Sequence, residues 1–247
     1  MKPILFSASM VQSLLAGRKT QTRRIIKPQP GPQHTAISRA VIADGSGRET
    51  WMYKMGEATK VDAVKCPYGQ TGDILYVRET HFARGVWVID GQTKTGKVRK
   101  RFVPDGGAED YCFDETVNAL GETFTLPVEK SIRTYVNGWY KRPGIHMPKD
   151  VARLWLRVKN VRVEQAQEIS EQDAVAEGIE YWTDENDMEL LDATFRNYLT
   201  NERNLVTSYA SFTTLWQKIN GFESWDANPW VWVVEFERIE KPKGGVA

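Results

Sequence analysis

One short segment concentrates groups that can do chemistry. Residues 17–24 read GRKTQTRR and hold four cations and two threonine hydroxyls. Side chains alternate across a β-strand, so we expect Thr20, Thr22 and Arg24 on one face, while Lys19 lies at the preceding turn and can reach Thr22. A partly desolvated lysine beside other cations can act as a base, and a threonine hydroxyl is a group that such a base can activate. The segment therefore predicts a lysine–threonine pair that still needs an acid.

The elements on either side would position this pair. Apolar residues at helical spacing, followed by Gly17, predict a short helix before the segment. The β-branched run at 20–26 predicts a strand that ends at the proline cluster 28–32.

The rest of the chain predicts short strands with a few short helices between them. Strand patterns follow the Gly72-Asp73 turn, form two segments over 153–166, and recur over 228–239. Helical patterns run from Ser170 to Gly178, over 190–199 and over 212–219. Weak periodicity at 33–65 and 83–138 predicts two insertions into one domain spanning 1–241, with a disordered tail at 242–247. Because strands and helices do not alternate regularly, an α+β fold built on a small mixed β-barrel is favoured over a doubly wound sheet.

Charge is balanced overall but unevenly distributed. The chain has 33 Lys and Arg against 32 Asp and Glu, a net charge of +1, so any basic binding site must be local. Residues 1–30 contain no acid and 164–192 contain no Lys or Arg. The two segments either pack as solvated faces or enclose a polar pocket. A further basic cluster follows the turn-like stretch DGQTKTGK and is either a loop that touches phosphate or an exposed hairpin tip; its members are Lys97, Arg99, Lys100 and Arg101.

Aromatic residues offer a second kind of binding group. Of the nine tryptophans, Trp139, Trp225 and Trp230 lie near turns, where an indole can stack on a base, although core positions are the alternative. Trp216 and Trp232 fit core stripes. Tyr68 offers a further ring for stacking.

Several classes of protein are excluded by the composition. No apolar run approaches the length of a membrane span, and no glycine-rich nucleotide-binding motif is present. The only cysteines are Cys66 and Cys112, and the three histidines have no metal-ligand spacing. The first residues lack the pattern of a signal peptide. We therefore expect a cytoplasmic protein without metal, cofactor or membrane partner.

Four segments together resemble the ASCH domain superfamily, in particular its phage- and prophage-encoded members. They are GRKTQTRR after a short amphipathic helix, TGDILYVRE, SEQDAVAEGI and the final WVWVVEFERI. The similarity covers most of the chain outside the two insertions. It implies a PUA-like fold, in which a small β-barrel with flanking helices forms a cleft associated with RNA or modified nucleosides.

One branch of this superfamily consists of compact bacterial amidohydrolases that remove the acetyl group from N4-acetylcytidine. Carried over by position, their lysine, threonine and glutamate fall on Lys19, Thr22 and Glu177. The resemblance thus implies that Thr22 is the nucleophile, Lys19 its base, and Glu177 an acid that protonates the leaving amine or orients the substrate. Those enzymes are less than half as long as this chain.

Two other functions also fit the sequence. In a non-catalytic module that binds RNA or a modified base, Lys19 and Arg24 would contact phosphate or base edges, and Glu177 would accept a hydrogen bond from an exocyclic amine. In a phage protein that blocks a host protein, the two insertions would form the interface.

Further residues are assigned to substrate binding in the cleft between residues 17–24 and the helix 170–178. They are Arg18, Arg24, Arg78, Glu79 and His146. For Arg78 and Glu79 the alternative is a surface ion pair, and for His146 it is a structural hydrogen bond in a proline-rich loop.

Overall fold

The computed structural model describes residues 1–31, 36–41, 49–54, 63–113, 137–183 and 194–242. The α-helices in these ranges are α1 (Ala8–Leu15), α2 (Glu171–Ala176) and α3 (Ser208–Asn220). The strands are β1 (Lys2–Leu5), β2 (Gln21–Ile25), β3 (Ala36–Val41), β4 (Glu49–Lys54), β5 (Ala63–Val64), β6 (Ile74–Arg78), β7 (His81–Gln92), β8 (Val98–Pro104), β9 (Tyr111–Cys112), β10 (Asn137–Arg142), β11 (Trp155–Gln165), β12 (Tyr181–Trp182), β13 (Thr194–Arg196), β14 (Arg203–Leu205) and β15 (Trp230–Ile239). Strands thus dominate a mixed α+β fold, as expected.

The chain divides into two compact units. Unit 1 comprises Met1–Lys2, Ser9–Leu75 and Trp155–Ala247, and unit 2 comprises Pro3–Ala8 and Tyr76–Leu154. The candidate catalytic residues Lys19, Thr22 and Glu177 all belong to unit 1.

The sheet of unit 1 places β15 between β11 and β2, with both pairs antiparallel. Val234 of β15 pairs with Thr22 of β2. The strand β11 is continuous, whereas two separate segments were expected; a register shift between Val158 and Asn160 accounts for the break in its sequence pattern.

The core of unit 1 lies against both faces of β15. Val231 and Val233 join a cluster with residues of α2 and α3, and Trp232, from the opposite face, meets Trp51 edge to face at 5.4 Å. Trp216 is buried in this core, as predicted. Trp225 is also in the core, with 7% of its surface exposed, which is the second of the two alternatives expected for it.

The predicted helices are confirmed where capping residues define them. Ser170 caps α2, and its hydroxyl accepts a hydrogen bond from the N–H of Asp173. Thr207 caps α3 in the same way. The helix predicted at 190–199 is wrong over its described part, because Phe195 lies in β13, which pairs with β12 and β14. Residues 184–193 lie outside the described ranges.

The two expected insertions contain sheets of their own. In 33–65, β3, β4 and β5 form a three-stranded antiparallel sheet. In unit 2, β7 pairs with β8, β9 and β10. The basic cluster lies at the exposed tip of the β7–β8 hairpin, one of the two expected alternatives, with Lys97 in the turn and its other members in β8. The predicted tail lies outside the described ranges except for residue 242.

No sheet formed by the described residues closes on itself, so the predicted barrel is not found in this part of the chain. The described helices also include none that is long and apolar enough to span a membrane.

Candidate functional site

The end of α2 packs directly against the start of β2. The N–H of Thr20 donates to the carbonyl of Ala176 at 2.8 Å, and the Ser13 hydroxyl donates to the carbonyl of Gly178, also at 2.8 Å. The side-chain amide of Gln21 donates to the carbonyl of Asp173 at 2.9 Å. These bonds fix the segment that carries Lys19 beside the residue that follows α2.

Lys19 and Glu177 form a buried ion pair at this junction. The Lys19 ammonium donates to Glu177 Oε2 at 2.8 Å and to the Glu177 carbonyl at 2.7 Å. The Lys19 side chain is fully buried and that of Glu177 is 4% exposed. An ion pair this deeply buried stabilises a fold less than a packed apolar pair of the same volume often would, and such pairs are frequent at functional sites.

Burial lowers the pKa of Lys19, because the charged ammonium has lost its water. The carboxylate of Glu177 opposes this effect, whereas the positive charges of Arg24 and Arg23 add to it. The net direction is downward, so the neutral amine of Lys19 is reached at a lower pH than in an ordinary lysine.

Arg23 connects this pair to a wider network of charges. One amino group of its fully buried side chain binds Glu164 at 2.8 Å and Asp173 at 2.9 Å, and the other lies 3.6 Å from Glu177 Oε1. Arg162 also binds Glu164 and Asp173. The basic segment 1–30 and the acidic segment 164–192 therefore meet, and they do so through buried and half-buried ion pairs.

Burial opposes ionisation of Asp173, but the hydrogen bonds and charges of Arg23 and Arg162 outweigh it and lower the pKa of Asp173. The carboxylate is thus charged throughout the neutral range and holds Arg23 in place. Sequence reasoning did not identify Arg23 as the centre of this network. Two features of the sequence pointed to this role. Strand alternation places Arg23 on the face opposite Thr22, and the acidic segment 164–192 contains no cation of its own to pair with its carboxylates.

A cavity of about 300 Å³ opens beside the ion pair. Thr22, Arg24 and Glu177 line it together with the ring of Tyr68, and residues of α3 complete the wall, namely Phe212, Leu215, Trp216, Ile219 and Asn220. Cavities that bind small ligands range from about 300 to 1,000 Å³, with mostly apolar walls and a few polar groups. This cavity has that composition, at the lower end of the size range.

Polar atoms on the wall of this cavity lack hydrogen-bond partners among the described residues. They are Oε1 of Glu177, Nε and Nη1 of Arg23, and the indole Nε1 of Trp216, all buried. A buried polar atom without a partner costs free energy, of the order of 1–3 kcal/mol. Two of these atoms, Oε1 of Glu177 and Nη1 of Arg23, face each other at 3.6 Å as an ion pair.

Tyr68, which the sequence suggested as a stacking residue, lines the cavity. Burial raises its pKa, so its phenol stays protonated and can donate a hydrogen bond. Trp216, expected only in the core, also reaches the cavity wall.

A second cavity, of about 700 Å³, lies between the end of α1, β2, α2 and β15. Lys19 lines it, with Gln21 and Asp173, but Thr22 and Glu177 do not. We take the smaller cavity as the candidate site, because it contains both the hydroxyl and the carboxylate together with aromatic rings. Arg18 is exposed, donates to the Ser13 hydroxyl at 3.5 Å and lines neither cavity.

The other three candidate residues form a group of their own in unit 2. Arg78 donates to the carbonyl of Ile145 at 3.3 Å, beside the exposed His146. Glu79 is buried and binds Arg153 through two hydrogen bonds of 2.9 and 2.8 Å. Glu79 therefore pairs with Arg153 rather than with its neighbour Arg78.

Among the described residues, no cluster of three or more His, Cys, Asp or Glu side chains could hold a metal ion. Cys66 and Cys112 are buried free thiols. The candidate site presents amine, hydroxyl, carboxylate and guanidinium groups.

Comparison of the chain with protein-family models, with curated proteins and with solved structures finds no match.

Proposed function

We propose that this protein is an amidohydrolase that removes an acyl group from the exocyclic amine of a cytidine-like nucleoside. The observation that carries the proposal is the buried Lys19–Glu177 ion pair, whose carboxylate residue lines a cavity together with Thr22. The sequence resemblance to ASCH amidohydrolases assigns catalytic roles to these same three residues. In this proposal the domain is an ASCH domain with a PUA-like fold, and it acts in the cytoplasm.

The first half of the reaction forms an ester on Thr22. Burial favours the neutral amine of Lys19 over its ammonium. The amine of Lys19 takes the proton of the Thr22 hydroxyl, whose oxygen attacks the acyl carbon. Lys19 passes this proton to Glu177, which gives it to the leaving nitrogen; the C–N bond breaks and the free nucleoside departs.

The second half restores the enzyme. A water molecule attacks the ester while giving a proton to the neutral amine of Lys19. The C–O bond to Thr22 breaks, the Thr22 oxygen takes back a proton from Lys19, and the carboxylic acid leaves. The sum is an amide plus water going to an amine plus a carboxylic acid, so no cofactor is required.

The walls of the cavity support a planar, polar substrate. The half-buried Tyr68, which lines the cavity, provides a ring against which a base can stack. The carboxylate of Glu177 and the guanidinium of Arg24, both on residues that line the cavity, offer an acceptor and a donor, which complement the amine and carbonyl groups of a pyrimidine edge.

A non-catalytic module for RNA or modified bases is the second candidate. The observation in its favour is that Arg24 and Lys27 line the same cavity, so that two cations accompany the base-sized space. Such a module would bind the nucleoside without releasing an acid.

A chromatographic assay with purified protein and N4-acetylcytidine tests the proposal. We expect the wild type to release cytidine and Thr22→Ala to lose at least a hundred-fold in rate, since nucleophile removal leaves only the binding contribution. Thr20→Ala is the matched control, because Thr20 is exposed and lines only the larger cavity. Binding of the nucleoside without any turnover by the wild type would favour the module instead.

A further inference from the structure

A strongly basic sheet in unit 2 lies outside the candidate site. The hairpin of β7 and β8 carries six Lys and Arg side chains, and β10 carries two more. The single acid in these segments is Asp90, whereas the whole chain has a net charge of only +1. Every residue from 91 to 101 is exposed. Positive charge is therefore concentrated at this solvated hairpin.

One face of this sheet also carries a cluster of aromatic rings. Trp87 pairs across the strands with Phe102, and the two rings meet edge to face at 5.4 Å. Tyr140 of β10 adds a third ring, 5.6 Å from that of Phe102. All three are half-buried, so each keeps part of its surface accessible.

A guanidinium group lies over this cluster. The Arg142 side chain is 4.7 Å from the centroid of the Trp87 ring and 4.6 Å from that of Phe102. Gly85 leaves room for the Phe102 ring, since a Cβ atom there would lie 2.8 Å from it. The face thus combines aromatic rings with a stacked cation.

Alternation along the strands extends this face toward the basic hairpin tip. Ile89 and Lys100 pair with each other on the same face as Trp87 and Phe102. Ile89 is 50% exposed and Val98, further along the face, is 53% exposed. The result is an apolar and aromatic stripe bordered by cations.

We propose that this face of the β7–β8–β10 sheet binds single-stranded nucleic acid, with bases stacked on Trp87 and Arg142 and phosphates held by the hairpin cations. Bases stack on aromatic rings and on guanidinium planes, and a positively charged groove follows the backbone. An acidic membrane or protein would complement the charge but would leave the ring cluster without a role. The proposal goes beyond the proposed deacylation and does not rest on it.

The phosphate contacts are tested by titrating the full chain with a fluorescent oligouridylate at several salt concentrations. For single strands each phosphate contact contributes about 0.7 to the slope of log K against log salt. We expect Lys97→Gln combined with Lys100→Gln to reduce that slope by about 1.4. Lys65→Gln combined with Lys149→Gln removes the same charge at exposed sites elsewhere and should leave the slope unchanged.

The stacking contacts are tested with Trp87→Leu. We expect binding of oligouridylate to weaken about five-fold or more, and binding of an abasic phosphodiester of equal length to stay unchanged, because only the former has bases to stack. Trp139→Leu is the control, since alternation along β10 places Trp139 on the opposite face of the same sheet from Tyr140. Circular dichroism of each variant checks that the sheet is retained.

Several results would overturn the proposal. One is that the wild type does not bind oligouridylate, or binds phosphatidylserine vesicles more tightly. Another is that Trp87→Leu weakens binding of the abasic strand as much as that of oligouridylate, or that both lysine pairs change the salt slope equally. A further one is that Arg24→Gln abolishes binding while the hairpin variants do not. The last result would place the nucleic acid in the cavity of unit 1. Thr22→Ala should retain oligouridylate binding whether or not it retains deacylation.

Discussion

At the scale of single residues, the environment of Lys19 determines whether it can act as a base. Desolvation is the largest influence and lowers its pKa, and Arg24 acts in the same direction. The carboxylate of Glu177 opposes both. Because only the neutral amine accepts a proton from Thr22, the deacylation rate should rise with pH as Lys19 loses its proton, at a pH below that expected for an ordinary lysine.

This dependence can be measured in kcat/KM for N4-acetylcytidine, which reports ionisations of the free enzyme. Arg24→Gln removes a positive charge that favours the neutral amine, so the rising limb should move to higher pH. Arg18→Gln is the control, because Arg18 is exposed and does not influence the pKa of Lys19. A limb that stays at the same pH in Arg24→Gln would contradict this description of Lys19.

The same scale shows what the residues alone did not reveal. Lys19 and Glu177 are 158 positions apart, and spacing along a chain does not pair residues at that distance; only the family resemblance brought them together. Strand alternation assigned Arg23 to a face but could not identify its carboxylate partners. Trp216 was correctly expected in the core, but a periodic pattern does not reveal that its indole N–H lacks a partner.

At the scale of elements, the junction between α2 and β2 depends on Gly178. Its φ of +85° lies in the left-handed region, and a Cβ atom there would lie 2.7 Å from Cβ of Lys19 and 2.9 Å from Cβ of Ser13. Only a residue without a side chain allows the end of α2 to approach the Lys19 backbone so closely.

We therefore expect Gly178→Ala to destabilise the protein and to reduce deacylation. The left-handed conformation costs about 1–2 kcal/mol for a residue with a Cβ atom, and the steric conflict adds about 1–3 kcal/mol. Gly72→Ala is the matched control, because Gly72 has a φ of +90° but nothing within 4 Å of its Cβ position. Urea unfolding of both variants measures the difference, and equal losses of stability would show that the close approach is unimportant.

Elements with capping residues or clear alternation were predictable from the sequence, and those without were not. The helices α1, α2 and α3 and the strands β2 and β15 appear where their patterns indicated. Over 190–199 the apolar residues fit helical spacing, but tertiary pairing with β12 and β14 makes the described part a short strand. Local pattern cannot distinguish the two in so short a segment.

At the scale of the whole molecule, ion pairs across unit 1 make its stability depend on pH. Arg23 and Arg162 lower the pKa of Asp173 against the effect of burial. A carboxylate whose pKa is lowered in the folded protein stabilises the fold at any pH above its ordinary pKa, near 3.9. This contribution is lost as the pH falls through the lower pKa of the folded state.

Asp173→Asn should therefore lower the free energy of unfolding by about 1–3 kcal/mol at neutral pH, the range for hydrogen bonds to charged groups. The difference from the wild type should shrink below about pH 4 as the wild-type carboxylate is protonated. Asp226→Asn, at an exposed position, provides the control. A difference that is constant down to acid pH would exclude the ion pairs as its source.

The division into two units was the property of the whole molecule least accessible from the sequence. The stretch 83–138 was expected as an insertion without a core of its own, because its short β-like runs alternate with turns. In the structure β7 extends over twelve residues and organises β8, β9 and β10 around it. The long-range pairing of β10 with β7 has no signature in a local pattern.

The most direct test of the proposed chemistry is a search for the acyl group on Thr22. Wild-type protein is mixed with N4-acetylcytidine, quenched in acid during turnover, digested and analysed by mass spectrometry. We expect an acetyl group on the peptide that contains Thr22, and no such group in Thr22→Ala. Release of cytidine at the wild-type rate by Thr22→Ala, with no acetylated peptide from either protein, would contradict the assignment of Thr22 as the nucleophile.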